Sequence, residues 1–493
     1  MKLKRLFDPA DMDATGYENL EIKGLTRDSK VIKEGFLFFA SKGMSKDGKD
    51  FIDEAFKKGA AAAVIDKEIK NKIGPCFLAK DFEKTVNIIS KIFYGDPSSF
   101  LYCAGITGTK GKTTVSYFLE KAFLDFKLKP AVIGTVNYRA MGKIIYPAPN
   151  TTPSEPLLSE ILRSFLDMGC ASCIMETSSH ALALKRTENV NFDAALFTNL
   201  QSDHMDFHKT RKDYAQAKRK LFKSLSESSK KNKIAVINAD DEAADLMASA
   251  CSEDIKIIFY GTKKEGDIRA ENIVEKPEAS YFDIKIEGKK TESASLKMIG
   301  EHNIYNFLAA ASLLYAKGFA VSEIIASLGN FSQVPGRLEK IESSLGFYIF
   351  IDYAHTEQSL ISVLKALRKS GPKRIITVFG CGGNRDKSKR APMGKAACEL
   401  SDLVFITSDN PRTENPQSII KDIEEGVKDR FSNYSKVTDR KEAIFQAVKE
   451  AKKGDFILIA GKGHENYQII GNEKIKFDDK ETAMEAMDKQ GKI

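Results

Sequence analysis

The stretch "GITGTKGKTTVSYFLE" (105–120) decides the fold. An apolar run, "LYCAGIT" (101–107), leads into it, and "TTVSYFLEKAFLDF" (113–126) leaves it with helical periodicity. Buried strand, glycine turn and helix, in that order, make a phosphate loop. Glycines let backbone N–H groups approach phosphate oxygens, and the helix N-terminus adds partial positive charge. Gly108, Thr109, Lys110, Gly111, Lys112, Thr113 and Thr114 form the cradle. Lys112 is placed for the β- and γ-phosphates and the Thr113 hydroxyl for a magnesium ion. The pattern is the short G-T-x-G-K-T-T, because Ile106 stands where the longer nucleotide-loop pattern has its first glycine.

Working outward, "AVIGTV" (131–136), "SCIMETS" (172–178), "AALFTNL" (194–200) and "KIAVINA" (233–239) alternate with helical segments. That alternation is the signature of a doubly wound, mostly parallel sheet. A polar, strand-like insertion (265–297) precedes the helix "NIYNFLAAASLLYAKG" (303–318). Upstream, "GFLFFAS" (35–41) and "AAAVID" (61–66) flank the amphipathic "FIDEAFKKGA" (51–60), and "YGDPSSF" (94–100) is turn chemistry. Downstream of "VPGRLE" (334–339) a third α/β series runs through "FYIFIDYA", "RIITVFG", "DLVFITS" and "DFILIAG" (455–461). The 493 residues therefore divide as 1–97, 98–333 and 334–493, in keeping with roughly 150 residues per domain.

Composition narrows the function. Apolar content of 42% and charged content of 29% are those of a globular protein, and the longest apolar runs are strand-length, too short for a membrane span. The opening "MKLKRLFDPADMD" lacks a secretory apolar stretch, and the seven cysteines form no framework, so a cytoplasmic location is expected. Cys170 and Cys173 make a lone C-x-x-C without a second pair, which reads as core packing. The net charge of +8 is spread over helix faces such as "SESSKKNKIAV" (226–236), with no dense basic tract. Such a surface suits small anionic substrates rather than nucleic acid.

All six histidines lie in polar or glycine-containing stretches beside predicted strands. "METSSHAL" (175–182) sets Glu176 at a strand's carboxyl end, the usual crevice of open α/β sheets. "TNLQSDHMDFH" (198–208) adds Asn199, Asp203, His204, Asp206 and His208. Carboxylate and imidazole beside a phosphate loop suit a divalent ion bridging nucleotide and substrate oxygens. "INADD" (237–241) brings acidic groups to another strand end, where a ribose or adenine is commonly met. "YAQAKRKLF" (214–222) reads, on periodicity alone, as an amphipathic helix with a solvated lysine face.

Taken together, G-T-x-G-K-T-T, N-T-T-P (150–153), E-x-S-S-H (176–180), T-N-L-x-x-D-H-x-D-x-H (198–208), Y-x-x-A-K (214–218), H-N-x-x-N (302–306), P-G-R-x-E (335–339) and D-Y-A-H (352–355) resemble the Mur ligase family over essentially the whole chain. The resemblance implies three α/β domains: a small UDP-sugar-binding domain, a central P-loop ATPase and a Rossmann-like C-terminal domain that admits an amino acid. It implies ATP-dependent amide formation through an acyl phosphate, with two magnesium ions. Thr113 and Glu176 would hold one ion and His204 the second, while Lys218, carbamylated in this family, would become an anionic ligand. Lys112, Glu176, His204 and Lys218 are the implied catalytic set, and Asn306, Arg337, Asp352 and His355 would face the nucleotide.

Within the family, residues 25–60 resemble the UDP-muramyl peptide ligases, although Lys30 replaces the usual Arg. The resemblance assigns Ser29, Met44, Ser45, Lys46, Asn150, Thr151, Thr152, Ser178 and Arg186 to the UDP-MurNAc-peptide. Leu184 stands where some members have Gln. "FGCGGNRDKSKRAPMG" (379–394), "SDNPRTENP" (408–416) and "AGKGHENYQ" (460–468) resemble the members that add the third residue after L-Ala-D-Glu, and D-N-P-R goes with meso-2,6-diaminopimelate. Arg385 and Arg412 would grip the distal carboxylate bidentately. Asp409, Asn410 and Glu465 would accept from the ammonium, with Pro411 shaping the loop and Gly461 offering backbone. The expected partners are UDP-MurNAc-L-Ala-D-Glu and meso-diaminopimelate, acting on a monomer. Meso-lanthionine, lysine or ornithine are alternative third residues. More distant readings are a folylpolyglutamate synthase, which lacks the N-terminal domain, and a nucleotide-dependent binding protein.

Overall fold

The computed structural model describes residues 1–42, 47–69, 73–201, 203 and 207–491. The chain forms two compact units, Met1–Asp267 with Ser312–Phe319, and Ile268–Ala311 with Ala320–Ile493.

The first unit contains two sheets. The N-terminal one is parallel, in the order Gly24–Thr26, Phe36–Ala40, Ala60–Ile65, Cys76–Leu78. Its central strands, "FLFFA" and "AAAAVI", are apolar throughout because both faces are covered. Helices Leu3–Phe7 and Phe82–Tyr94 pack on one face and Ile52–Lys57 on the other. The Asp81 side chain caps Phe82–Tyr94 by accepting from Lys84 N at 3.1 Å, and Gly95 closes it in the left-handed region.

The larger sheet of this unit runs Lys256–Gly261, Ile234–Asn238, Ala194–Phe197, Tyr102–Thr107, Ser172–Glu176, Pro130–Ile133, all parallel. Antiparallel Asn137–Ala140 and Lys143–Pro147 extend it. Ile106 pairs with Glu176 and Thr107 with Phe197, so the loop after Tyr102–Thr107 is flanked by the ends of both neighbouring strands. Cys170 and Cys173 are free and buried in the adjoining core, as the packing reading expects.

In the second unit Ile268–Glu275, Ser280–Ile286 and Glu292–Leu296 form an antiparallel meander, the strand-like insertion of the sequence. Phe282 meets Phe307 of helix Glu301–Ala316 edge-on at 5.2 Å. The main sheet runs Glu339–Glu342, Tyr348–Asp352, Phe456–Ala460, Ile375–Phe379, Leu403–Ile406, Tyr434–Lys436, with only the first pair antiparallel. Separate cores cover its two faces. Because the strands are parallel, the loops 353–355, 380–385, 408–412 and 461–465 all emerge at one edge, where ligands of such sheets bind.

That edge is anchored from beneath by a fully buried ion pair. Arg440 Nε and Nη2 donate to the two Asp479 oxygens, each at 2.8 Å, and Nη2 also donates to Ala460 O at 2.9 Å. Each partner opens a helix, Arg440–Glu450 or Asp479–Lys489, so the pair fixes two helix starts to a strand end. Asp479→Ala leaves a buried guanidinium without its counter-charge and should lower stability by about 3–5 kcal/mol in urea denaturation. A loss near zero would mean that water or another acceptor replaces the carboxylate.

Candidate active site

The phosphate loop is held open by its surroundings. Gly108 has φ +152°, and a Cβ there would lie 1.8 Å from Thr198 Oγ1, so no side chain fits. Thr198 Oγ1 donates to Lys110 O at 2.6 Å, while Asn199 accepts from Lys110 N at 3.0 Å and donates to Lys110 O at 3.1 Å. The loop is thus braced by the "TN" of the neighbouring strand end. Lys112 Nζ folds over the turn, donating to Gly108 O at 2.7 Å and Thr109 O at 3.0 Å.

Glu176 is the hub next to it. It is 1% exposed and accepts from Thr113 Oγ1 at 2.9 Å, Thr135 Oγ1 at 2.9 Å and Thr135 N at 3.0 Å. A hydroxyl and a carboxylate oxygen in contact are the hard donors a magnesium ion takes, its remaining positions being filled by phosphate oxygens and water. The Thr113–Glu176 pair therefore fits that ion. Among the described residues no group of three or more His, Cys, Asp or Glu is placed to hold a metal. Thr135 was not singled out in the sequence; its position just past the carboxyl end of Pro130–Ile133 was the available signal.

The Thr210-capped helix Arg211–Glu227 turns Lys218 inward. Its side chain is 1% exposed, with Nζ 4.1 Å from the centre of the Tyr214 ring. The solvated-lysine reading of this helix is thus corrected: Tyr214, Ala217, Lys218 and Leu221 lie on the core face and the other lysines carry the solvent face. Burial, reinforced by Lys112, holds the Lys218 pKa well below the ordinary lysine value, against the opposing pull of Asp203 and Asp241. Tyr214 OH shares a hydrogen bond with Thr109 Oγ1 at 3.1 Å, and His208 Nε2 one with Ser179 Oγ at 3.0 Å. His204 and Asp206 lie outside the described residues.

A track of small polar groups leads away from Glu176. Thr151 Oγ1 meets Thr135 Oγ1 at 3.1 Å. Thr152 Oγ1 donates to Glu176 O at 2.7 Å and accepts from Ser178 N at 3.1 Å. Arg186 Nη1 donates to Thr152 O at 3.1 Å, and Asn150 O accepts from Tyr138 OH at 2.6 Å. In the N-terminal sheet Ser29 is buried, its carbonyl accepting from Lys58 Nζ at 3.0 Å. Met44, Ser45 and Lys46 lie outside the described residues. Asp240 and Asp241 do turn work instead of standing open. Asp240 accepts from the N–H groups of Thr262, Lys263 and Lys264, and Asp241 from Leu200 N at 2.8 Å.

In the second unit Asp409 and Asn410 are buried, and Arg412 sits in the left-handed region with φ +52°. Arg412 Nη1 donates to Gly383 O at 2.8 Å, which ties the "DNPR" loop to the loop carrying Arg385. Arg385 is exposed. Asn410 Nδ2 donates to Glu465 Oε2 at 2.9 Å, while its Oδ1 accepts from Ile469 N at 2.9 Å. The sequence offered Asn410 as an acceptor for a ligand ammonium; its oxygen is already engaged. Gly461, at φ +116°, would place a Cβ 2.7 Å from Asp409 Oδ2.

Of the other nucleotide candidates, Asp352 accepts from Leu338 N and Ala354 N, both at 2.8 Å, so it sets the turn bearing Arg337. The Arg337 guanidinium lies 5.0 Å from the Tyr353 ring centre. His355 Nδ1 meets Tyr353 O at 2.8 Å. Asn306 Nδ2 donates to Asn303 Oδ1 at 3.3 Å inside helix Glu301–Ala316.

Residues 21–92, 106–314 and 336–463 match, in turn, the catalytic domain of the Mur ligase family, the Mur ligase middle domain and the Mur ligase glutamate ligase domain. A UDP-N-acetylmuramoyl-L-alanyl-D-glutamate--2,6-diaminopimelate ligase of Geobacillus kaustophilus (strain HTA426) is 38% identical over 475 residues, 96% of this chain and 96% of that one. The chain belongs to the Mur ligase family. A ligase of the same name from Caldanaerobacter subterraneus subsp. tengcongensis (strain DSM 15242 / JCM 11007 / NBRC 100824 / MB4) is 39% identical over 488 residues, 99% of both chains. A solved UDP-N-acetylmuramoyl-L-alanyl-D-glutamate--2,6-diaminopimelate ligase superposes with TM-score 0.72 at 29% identity, covering 100% of this chain and 99% of that one. The chain is accordingly an ATP-dependent, amide-bond-forming Mur ligase with α/β N-terminal, central and C-terminal domains.

Burying Lys218 has a thermodynamic signature. The folded pKa lies below the unfolded one, so the burden of an ionised Lys218 is greatest at low pH and is relieved as pH rises through the folded pKa toward the unfolded value. In bicarbonate-free buffer Lys218→Met should raise the melting temperature by about 2–8 °C at about pH 6, and by less at about pH 9. Calorimetry showing destabilisation at the lower pH would contradict the buried-amine geometry.

Proposed function

We propose that this chain joins the D-Glu carboxyl of UDP-MurNAc-L-Ala-D-Glu to an amino group of meso-2,6-diaminopimelate, consuming ATP, in building the cell-wall precursor. The proposal assigns residues 1–97 to the UDP-MurNAc-peptide, 98–333 to ATP and 334–493 to the amino acid. One observation carries it: Asp409, Asn410, Arg412 and Glu465 gather, tied to the Arg385 loop, at the carboxyl edge of the C-terminal sheet. A distal head group with both carboxylate and ammonium matches that mixture of charges. Lysine lacks the distal carboxylate and would leave the guanidinium without a charged partner, a loss of about 1–3 kcal/mol. The match over nearly the whole length to relatives bearing that substrate in their names points the same way.

In the reaction a carboxylate oxygen of the D-Glu attacks the γ-phosphorus of ATP, and ADP leaves. The amine nitrogen of the incoming amino acid then attacks the acyl carbon, phosphate departs with the bonding pair, and the amine gives up a proton. Lys112 and the loop N–H groups hold the β- and γ-phosphates in line. Lys112 reaches them by exchanging the carbonyls of Gly108 and Thr109 for phosphate oxygens. Thr113 and Glu176 would hold one magnesium ion, and His204 with carbamylated Lys218 a second. Bound magnesium neutralises charge on the phosphate oxygens. A Lys218 amine of depressed pKa is nucleophilic toward carbon dioxide, and burial among Tyr214 and the core keeps the resulting carbamate from bulk water. Thr151, Thr152, Ser178 and Arg186 align the peptide beside Glu176. ATP and UDP-linked substrates, together with seven free cysteines, fit a reducing cytoplasm.

Phosphate release should require UDP-MurNAc-dipeptide and diaminopimelate together, with background release from ATP alone at least about tenfold lower. Release indifferent to both substrates would overturn the assignment.

A further inference from the structure

Lys462 is a lysine with no exposed side-chain surface, in the loop after Phe456–Ala460, where it belongs to none of the ligand-contacting residues assigned above. Its Nζ donates to Glu465 Oε2 at 3.2 Å and Asn410 Oδ1 at 3.3 Å, and lies 5.5 Å from the Tyr467 ring centre. Asn410 completes a closed triangle by donating from Nδ2 to the same Glu465 oxygen at 2.9 Å. Its Oδ1 receives a second donor, Ile469 N, at 2.9 Å.

This arrangement determines orientation at two points. Two donors facing one side of the Asn410 amide define that side as oxygen, so the amide nitrogen must point at Glu465. Two donors on Glu465 Oε2 then fix the carboxylate and leave Oε1 as its unengaged oxygen among the described contacts. Without the ammonium, Ile469 N alone would hold the Asn410 oxygen, and Glu465 Oε2 would lose one of the two donors that fix the carboxylate. Charge works in the same direction. Asp409 and Glu465 bring two carboxylates to one loop cluster, and Lys462 sets a positive charge beside Glu465.

We propose that Lys462 is a positioning residue for the amino-acid substrate. It locks Asn410 in one amide orientation and presents Glu465 Oε1 to the distal ammonium of a diamino dicarboxylic acid. Lys462 itself touches no substrate, and the proposal rests on the function inferred above.

The test is steady-state kinetics of full-length Lys462→Met, Glu465→Gln and the double variant, alongside wild type. Lys462→Met should raise the KM for diaminopimelate at least about tenfold, the loss expected when hydrogen bonds to a charged group are removed. The KM values for ATP and UDP-MurNAc-dipeptide should stay within about twofold. Because Lys462 acts through Glu465, the double variant should be no worse than Glu465→Gln alone. An unchanged diaminopimelate KM, equal rises for all three substrates, or additive losses would overturn the proposal. If Lys462→Met is not recovered folded, Lys462→Gln, which keeps an N–H donor, gives the same comparison with a smaller rise. A wild-type enzyme that makes no diaminopimelate adduct would refute the function itself, an outcome separate from any effect of Lys462.

Discussion

The hydrogen bond from Thr113 to Glu176 is the contact on which the ATP site depends. Glu176 closes the strand next to the phosphate loop, and Thr113 is the second residue of the helix that the loop starts. Their 2.9 Å contact, with the two bonds from Thr135, ties the carboxyl ends of three adjacent strands at one point. A carboxylate with almost no exposed surface persists there only because each partner donates to it; an unsatisfied one would be strongly unfavourable. The same group is the natural oxygen donor for a cation on the nucleotide. Under the proposed function, the interaction that builds the site would also be the one that a bound cation engages.

A common rule governs both ends of the chemistry. Lys112 rests on carbonyls of its own loop, and Arg412 on the carbonyl of Gly383. Each cation rests on backbone carbonyls and, in the proposed function, would exchange a carbonyl for an anionic substrate oxygen. Such exchanges spare the protein an unpaired buried charge while still favouring a ligand that offers negative charge. Arg440 and Asp479 serve the C-terminal edge as Glu176 serves the central one, by fixing strand ends from beneath.

Much of this was legible in the sequence, because long apolar strands and glycine turns leave strong local signals. "FLFFA", "IITVF" and "FILIA" lie where their apolar runs predict, and the phosphate loop stands between the expected strand and helix. The short strands Cys76–Leu78, Asn137–Ala140, Lys143–Pro147 and Tyr434–Lys436 were not marked; they are polar or brief, and pairing with a neighbour rather than periodicity creates them. Among the described residues, Thr113 meets Glu176 and Asn410 meets Glu465. What sequence could not supply was which atom faces which partner. Asn410 offers its nitrogen to Glu465 because Lys462 and Ile469 N claim its oxygen, and Asp352 is taken up by the Leu338 and Ala354 amides. Lys218 shows the same limit: its helix reads as solvated until the packing of Tyr214 and Leu221 places it inward.

In the proposed function the C-terminal loops select an amino acid by a distal carboxylate and ammonium together. The most direct measurement is mass spectrometry of the nucleotide product formed when the purified enzyme receives ATP, UDP-MurNAc-L-Ala-D-Glu and equal amounts of meso-diaminopimelate and L-lysine. The expected product is heavier by diaminopimelate less one water, with the lysine adduct a minor species. A predominant lysine adduct, or equal amounts of the two, would contradict it.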